Sequence, residues 1–158
     1  VVGANGVGKT TLIRQLLTSE YLANQSGSDQ GKSHEKKLFL IRDYYYKDIL
    51  FIHSLTHSFA HSLLLDETDS CLLVYSVNDR SSFNHASTCL TDVRKRFESN
   101  RMFVGLVANK QDLVRNRLIS TKEGKKLALK RHCKFLEVSA LLDHKVDRLL
   151  VSIIRGTR

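Results

Sequence analysis

Hydrophobic positions follow two alternating patterns along this chain. Largely apolar runs at residues 71–77 and 102–108 predict strands that are buried on both faces of a sheet. Residues 135–138 predict a short last strand. Apolar residues recur every three or four positions in residues 12–17, 83–97 and 146–154, which predicts a helix in each. A Lys-rich segment, residues 123–132, predicts a fourth helix. Because strands and helices alternate, the pattern favours an α/β domain around a mostly parallel sheet.

The stretch between the first helix and residue 70 is less regular. Residues 19–37 are polar, contain two Gly and several Ser, and predict a loop of unusual length. Two short β-rich runs, 38–41 and 49–52, predict a hairpin. Residues 54–69 are ambiguous, with a helix as one reading of the pattern.

The composition limits the class of protein. With 158 residues the chain is long enough for one well-packed domain, and we expect residues 1–158 to form it, with a truncated first strand ending at Val2. No apolar run approaches the roughly 20 residues that a membrane-spanning helix needs. The three Cys residues provide neither a disulfide framework nor a paired zinc motif, which favours a reducing, cytosolic setting.

The charge is strongly positive, because 25 Lys and Arg against 16 Asp and Glu give +9 at neutral pH. This balance favours an anionic ligand or surface as partner. Basic residues cluster at positions 94–96 and 125–134, near two predicted helices. They are explained either by solvated helix faces or by contact with an anionic membrane surface.

A glycine-rich segment after the first strand carries the clearest chemical signal. The residues from Gly3 to Thr10 fit the pattern Gly-x-x-x-x-Gly-Lys-Thr, between a strand and a helix. Glycines at these positions let backbone N–H groups turn towards an anion at a helix N-terminus. Lys9 is expected to reach the β- and γ-phosphates of a nucleotide, and the Thr10 hydroxyl to bind Mg²⁺. The predicted phosphate site comprises Gly3, Asn5, Gly6, Val7, Gly8, Lys9, Thr10 and Thr11.

A second polar segment, residues 109–112, follows the predicted strand 102–108 and is expected at the same sheet edge as the glycine-rich segment. Asp112 could accept hydrogen bonds from N1–H and the exocyclic amine of guanine, which adenine cannot donate in that arrangement. Lys110 could lie over the base and ribose, while Asn109 could tie this segment to the phosphate loop. Without the phosphate loop, the same four residues would be read as a polar turn.

A third segment, Ser139-Ala140, follows the last predicted strand, where the Ala140 amide could donate to guanine O6. As a dipeptide it carries little information, and its meaning comes from its place as the third loop in order along one edge. The predicted base site comprises Asn109, Lys110, Asp112, Ser139 and Ala140.

With these three segments, the chain resembles the Ras-like small GTPases over essentially its whole length, and more closely the RGK subgroup (Rad, Gem, Kir and Rem). Residues 73–87, 133–140 and 143–146 are similar to that subgroup's corresponding elements. The resemblance implies a three-layer P-loop GTPase fold, with a mostly parallel six-stranded sheet, one antiparallel edge strand and helices on both faces. It also implies binding of GTP and GDP with Mg²⁺, and a regulatory role.

Further implications of the resemblance concern partners and location. They are inhibition of voltage-gated calcium channels through the channel β subunit, regulation by calmodulin-type proteins, and a cytoplasmic location at the inner face of the plasma membrane. No nucleic-acid partner is expected, because the chain lacks an aromatic stacking platform.

One motif of ordinary Ras-like proteins is missing. Their third strand ends in Asp-x-x-Gly followed by a Gln that positions the attacking water. Here the corresponding residues 51–56 contain no Asp, Gly or Gln, and residues 19–37 contain no Thr to close over the γ-phosphate. We therefore expect nucleotide binding with weak or absent GTP hydrolysis, weakly held Mg²⁺, and no catalytic residue. The alternative is a pseudo-GTPase scaffold that binds little nucleotide.

Three histidines, His53, His57 and His61, are spaced four residues apart and would share one face of a helix. This spacing allows a metal site. Since no Cys or carboxylate completes a ligand set in an obvious way, a solvated and diverged segment is the preferred interpretation.

Overall fold

The computed structural model describes residues 1–24, 70–96 and 102–156, and these ranges contain a parallel sheet. Its strands are β1 (Ser70–Ser76), β2 (Phe103–Asn109) and β3 (Lys134–Glu137), in the order β1-β2-β3. In the register of the first pair Leu73 lies opposite Leu106, and in the second Leu106 lies opposite Phe135. The three predicted strands are therefore confirmed to within one residue at each end.

Val2 joins the sheet through a parallel bridge to Leu73. Its amide donates to the Leu72 carbonyl at 2.7 Å, and its carbonyl accepts from the Val74 amide at 2.7 Å. The start of the chain is thus paired with β1, as expected for the end of a strand.

Four α-helices occur in the described ranges, and all four were predicted. They are α1 (Lys9–Asn24), α2 (Arg80–Arg96), α3 (Thr121–Lys130) and α4 (Val146–Gly156), with a 3₁₀ turn at Val114–Asn116 before α3. The prediction of a loop from residue 19 was wrong for residues 19–24, which continue α1. Polar residues do not end a helix by themselves, and neither Gly nor Pro occurs between residue 9 and Gly27.

The helices cover both faces of the sheet. On one face, residues of α2 and α3 pack with Leu73, Tyr75 and Leu106 in one apolar cluster. On the other face, residues of α1 and α4 pack with Val74 and Val107 in a second cluster. Successive residues of β1 and β2 thus enter opposite clusters, which confirms the prediction that both strands are buried on both faces. The result is a three-layer α/β arrangement.

Local hydrogen bonds fix both ends of α3. Ser120 and Glu123 form a capping box at its start, in which each side chain accepts from the other residue's backbone amide. At its end, Arg94 of α2 donates from Nε to the Arg131 carbonyl at 3.0 Å, and from Nη2 to the His132 carbonyl. Arg94 therefore links α2 to the end of α3 and does not belong to a free basic surface.

Several predicted features fall outside the described residues. They are the 38–41/49–52 hairpin, with the rest of the six-stranded sheet, the ambiguous segment 54–69, and the three histidines. Among the residues described, no helix is long and apolar enough to cross a membrane.

Candidate functional site

The glycine-rich segment forms the turn between Val2 and α1, and its glycines are needed there. Gly6 and Gly8 have φ angles of 73° and 91°, in the left-handed region that favours glycine. A β-carbon on Gly3 would lie 2.2 Å from the Val74 carbonyl oxygen, so only glycine lets this turn approach β1 so closely. The sequence thus folds into a compact loop at the N-terminus of α1, where an anion is favoured.

Lys9, the first residue of α1, is turned back over this loop. Its side chain is buried, with 7% exposure, and Nζ donates to the carbonyls of Gly3 at 2.9 Å and Ala4 at 2.8 Å. Burial lowers the pKa of Lys9. An ammonium group has three donors, so these contacts fix Nζ above the loop and leave one donor for an anion.

Asn109, the last residue of β2, connects all three predicted segments. It is 2% exposed, and its Nδ2 donates to the Val7 carbonyl at 2.8 Å. Its Oδ1 accepts from the Ala140 amide at 3.0 Å. The predicted tie between the Asn109 segment and the phosphate loop is therefore confirmed. The bond to Ala140 was not predicted, because residues 31 positions apart show no periodic signal.

The Ala140 amide was predicted to donate to a guanine O6, and the structure gives it a different acceptor. Since the amide already donates to Asn109, it would have to share or exchange this bond to meet a base. Ala140 is also buried, which fits its contact with the core beneath α1 and α4.

Asp112 and Ser139 form a direct contact between the second and third segments. The Ser139 hydroxyl donates to Asp112 Oδ1 at 2.5 Å and accepts from the Leu142 amide at 3.2 Å. No described residue donates a hydrogen bond to the other carboxylate oxygen of Asp112. Ser139 thus orients Asp112 and leaves one oxygen for a ligand, a role that the sequence reasoning did not assign to it.

The remaining predicted residues differ in how they reach the site. Asn5, Thr10 and Thr11 are exposed. Val7 is 1% exposed and packs into the core, so it offers only backbone atoms. Lys110 is partly exposed and has a φ of 62°, a left-handed conformation that is uncommon for a side chain other than Gly, Asn or Asp.

The chemistry of these groups fits a nucleotide better than it fits a metal ion alone. The turn offers backbone donors and one ammonium donor to phosphate, while Asp112 offers an acceptor to a base. For Mg²⁺, Thr10 supplies one hydroxyl at the start of α1. In the ranges that the structure describes, no group of three His, Cys, Asp or Glu residues is placed to hold a metal ion.

Comparison with known proteins adds an independent observation. The Ras family profile matches residues 53–158, about two thirds of the sequence. The chain belongs to the Ras family. This match begins after the phosphate loop, so the loop and the family match support the same assignment from different parts of the chain.

Relatives of this Ras-family chain include members of the RGK subgroup, as the sequence motifs indicated. GTP-binding protein GEM of Mus musculus is 39% identical over 98 residues, which cover 62% of the chain and 33% of GEM. GTP-binding protein RAD of Homo sapiens is 40% identical over 90 residues, covering 57% of the chain and 29% of RAD. GTP-binding protein REM 1 of Homo sapiens is 31% identical over 166 positions, covering the whole chain and 54% of REM 1. The chain therefore spans between about a third and half of these relatives.

Proposed function

We propose that this chain is a guanine-nucleotide-binding regulatory protein of RGK type that hydrolyses GTP slowly or not at all. The observation that carries the proposal is the position of Asn109, which binds the phosphate loop with one end of its side chain and the Ser139-Ala140 loop with the other. Relatives of the chain are named GTP-binding proteins, which supports a guanine nucleotide as the ligand.

Phosphate binding would use the turn at Gly3–Gly8 and the start of α1. Backbone N–H groups at the helix N-terminus face the negative charge, and the helix dipole favours it. Lys9 supplies a positive charge that is fixed at the loop by its contacts with Gly3 and Ala4. The same residues would serve either GTP or GDP, because none of them requires a γ-phosphate.

Base recognition would rest on Asp112. Its Oδ1 is occupied by Ser139, so guanine N1–H and the exocyclic amine would bind the remaining acceptor positions of the carboxylate. Adenine presents an acceptor at N1, which would face the carboxylate oxygen without a proton between them. A buried polar site left unpaired by the wrong ligand discriminates by about 10⁴-fold or more. The Ala140 amide would contribute by sharing its hydrogen bond between Asn109 and the base.

Slow hydrolysis follows from the residues at 51–56, which lack Asp, Gly and Gln. Hydrolysis of GTP to GDP and phosphate depends on a positioned water and on neutralisation of the charge on the transferred group. When bound, Mg²⁺ supplies part of that neutralisation, and Thr10 is the residue of this chain that would hold it. With one such ligand, binding of Mg²⁺ would be weak.

The regulatory role is proposed from the subgroup resemblance. It consists of negative regulation of voltage-gated calcium channels through the channel β subunit, with calmodulin-type proteins as further partners. The proposed location is cytoplasmic, peripheral at the inner face of the plasma membrane. Co-precipitation of the full-length protein with a channel β subunit, compared at equal expression with a Ras-family protein outside the subgroup, tests the first part.

The nucleotide proposal is tested by titrating the protein with fluorescent GDP and ADP analogues, with and without Mg²⁺. We expect saturable binding of GDP, no binding of ADP at the same concentration, and a modest effect of Mg²⁺. Asp112→Asn replaces an acceptor with a donor, so it should weaken GDP and favour xanthosine diphosphate, whose C2 oxygen accepts. Equal binding of GDP and ADP would contradict the proposal. Ras-like turnover in a single-turnover assay would contradict its hydrolysis part alone.

A second candidate function is an interaction scaffold that keeps the fold but binds little nucleotide. The internal contact of the Ala140 amide favours it, because that amide has one donor and already gives it to Asn109 rather than to a base. Absence of saturable GDP binding at micromolar concentration, in protein that is folded by circular dichroism, would select this function.

A further inference from the structure

The outer face of α3 is a basic surface with an apolar residue among its charges. Residues 120–134 contain six Lys or Arg and one Glu, so this short stretch carries more than half of the chain's net charge. On α3 itself the exposed positions are four lysines and one leucine, which we call the α3 lysine face: Lys122, Lys125, Lys126, Leu129 and Lys130. At about 100° per residue, these five positions occupy an arc of about 140°.

The opposite side of α3 explains why these residues face outwards. Gly124 and Ala128 are buried against the sheet, and a β-carbon on Gly124 would lie 2.6 Å from the Tyr75 hydroxyl and 2.5 Å from the Phe135 ring. The helix therefore sits close to β1 and β3 in one fixed rotation. Because Ser120 caps its start and Arg94 binds the carbonyls after its end, the lysine face is carried by an anchored element.

No free carboxylate reduces the charge of this face from within residues 120–134. Glu123, the one acidic residue there, pairs with Arg80 at 2.6 Å and also accepts from the Ser120 amide. These contacts lower the pKa of Glu123, with the Arg80 hydrogen bond as the main cause. Its charge is thus directed towards α2, and the lysines keep a strongly positive field.

Leu129 decides which anionic partner fits. It is 80% exposed, and on the helix it lies among Lys122, Lys125 and Lys126. A leucine surrounded by flexible lysines suits a membrane surface, where the apolar tip enters the acyl boundary and the ammonium groups reach the lipid phosphates. Protein interfaces are enriched in aromatic residues and Arg and depleted of Lys, and surfaces that bind single-stranded nucleic acid use aromatic stacking. The α3 segment contains no aromatic residue and no Arg.

We propose that the α3 lysine face binds anionic lipid directly and orients the domain on the membrane. This inference rests on the proposed location at the membrane and is independent of nucleotide binding, since none of its residues belongs to the site of Asn109 and Asp112. The two groups of basic residues predicted from the sequence therefore have different roles. Arg94 donates its hydrogen bonds to carbonyl groups of the protein, whereas the lysines of α3 do not.

The test measures partitioning of the full-length protein onto vesicles of phosphatidylcholine with and without phosphatidylserine. A lysine near an anionic surface contributes about 1 kcal/mol, so K125Q/K126Q should weaken partitioning about 30-fold, equivalent to about 2 kcal/mol. The matched control is R148Q/R155Q, which removes the same charge from exposed positions of α4 on the opposite face of the sheet. It should retain most of the binding.

Two further measurements separate the possible outcomes. L129S should weaken binding to the mixed vesicles while leaving its dependence on salt unchanged, because it removes no charge. Equal partitioning of K125Q/K126Q and the unaltered protein would overturn the proposal. So would binding of polyglutamate or RNA as strong as that of the vesicles, which would make the face a general polyanion site. GDP titration of each variant shows whether nucleotide binding fails separately.

Discussion

Replacing Asn109 with Ala should damage the site more than any other single truncation within it. The side chain is buried and makes two hydrogen bonds, to the Val7 carbonyl at 2.8 Å and from the Ala140 amide at 3.0 Å. Leaving a buried donor or acceptor unsatisfied costs about 1–3 kcal/mol, so the two partners together lose about 2–6 kcal/mol. A domain of this size is stable by about 5–15 kcal/mol, so the loss is a large part of the total.

The assay is urea unfolding followed by far-UV circular dichroism, since the chain contains no Trp to report by fluorescence. Asn116→Ala is the matched control, because Asn116 is exposed on the 3₁₀ turn and should change stability by less than about 0.5 kcal/mol. In parallel, Asn109→Ala should accelerate dissociation of a fluorescent GDP analogue, because both loops lose their common support. A destabilisation below about 1 kcal/mol would refute the reasoning that Asn109 joins the loops.

Three further predictions concern individual residues. Gly8→Ala should lower the urea midpoint, because the φ of Gly8 is 91° and a β-carbon there would lie 2.4 Å from Asn109 Nδ2. An unchanged midpoint would show that the loop relaxes freely around the added methyl group. Ser139→Ala should weaken GDP binding by about 10- to 100-fold, because a hydrogen bond to a charged group such as Asp112 contributes about 1.5–3 kcal/mol. Unaltered affinity in the same titration would remove Ser139 from the site. Burial raises the pKa of Cys71 from 9.0 to about 11, so the folded state keeps a proton that the unfolded state releases, and the unfolding free energy should fall as pH rises between these values. Cys71→Ala should reduce that slope in urea titrations across the range, and an identical slope would contradict the assignment.

The sequence was sufficient for the elements whose signal is local. β1 and β2 were found because a strand buried on both faces is a continuous apolar run. The end of α1 was misplaced because the polar stretch 19–37 was taken as a loop from its first residue, although residues 19–24 contain no helix breaker. For the site, the order of three motifs was enough to place them at one edge, because parallel strands end on the same side.

Contacts between residues that are far apart along the chain could not be predicted from the sequence. The Ser139 bond to Asp112 spans 27 positions, and nothing in the spacing of a Ser-Ala pair indicates its partner. Arg94 was assigned to a basic surface because a run of basic residues usually covers a solvated face. Its bonds to the carbonyls after α3 depend on how two helices pack, which only the structure shows.

The contacts of Lys9 bear on how a ligand would enter the site. Two of its three donors satisfy carbonyls of the turn, so the protein's own atoms hold the ammonium group at the loop. We therefore expect a ligand to enter with little rearrangement of Lys9, and we expect affinities for different nucleotides to differ mainly in the dissociation rate. Stopped-flow mixing should accordingly show one association phase whose rate rises linearly with nucleotide concentration.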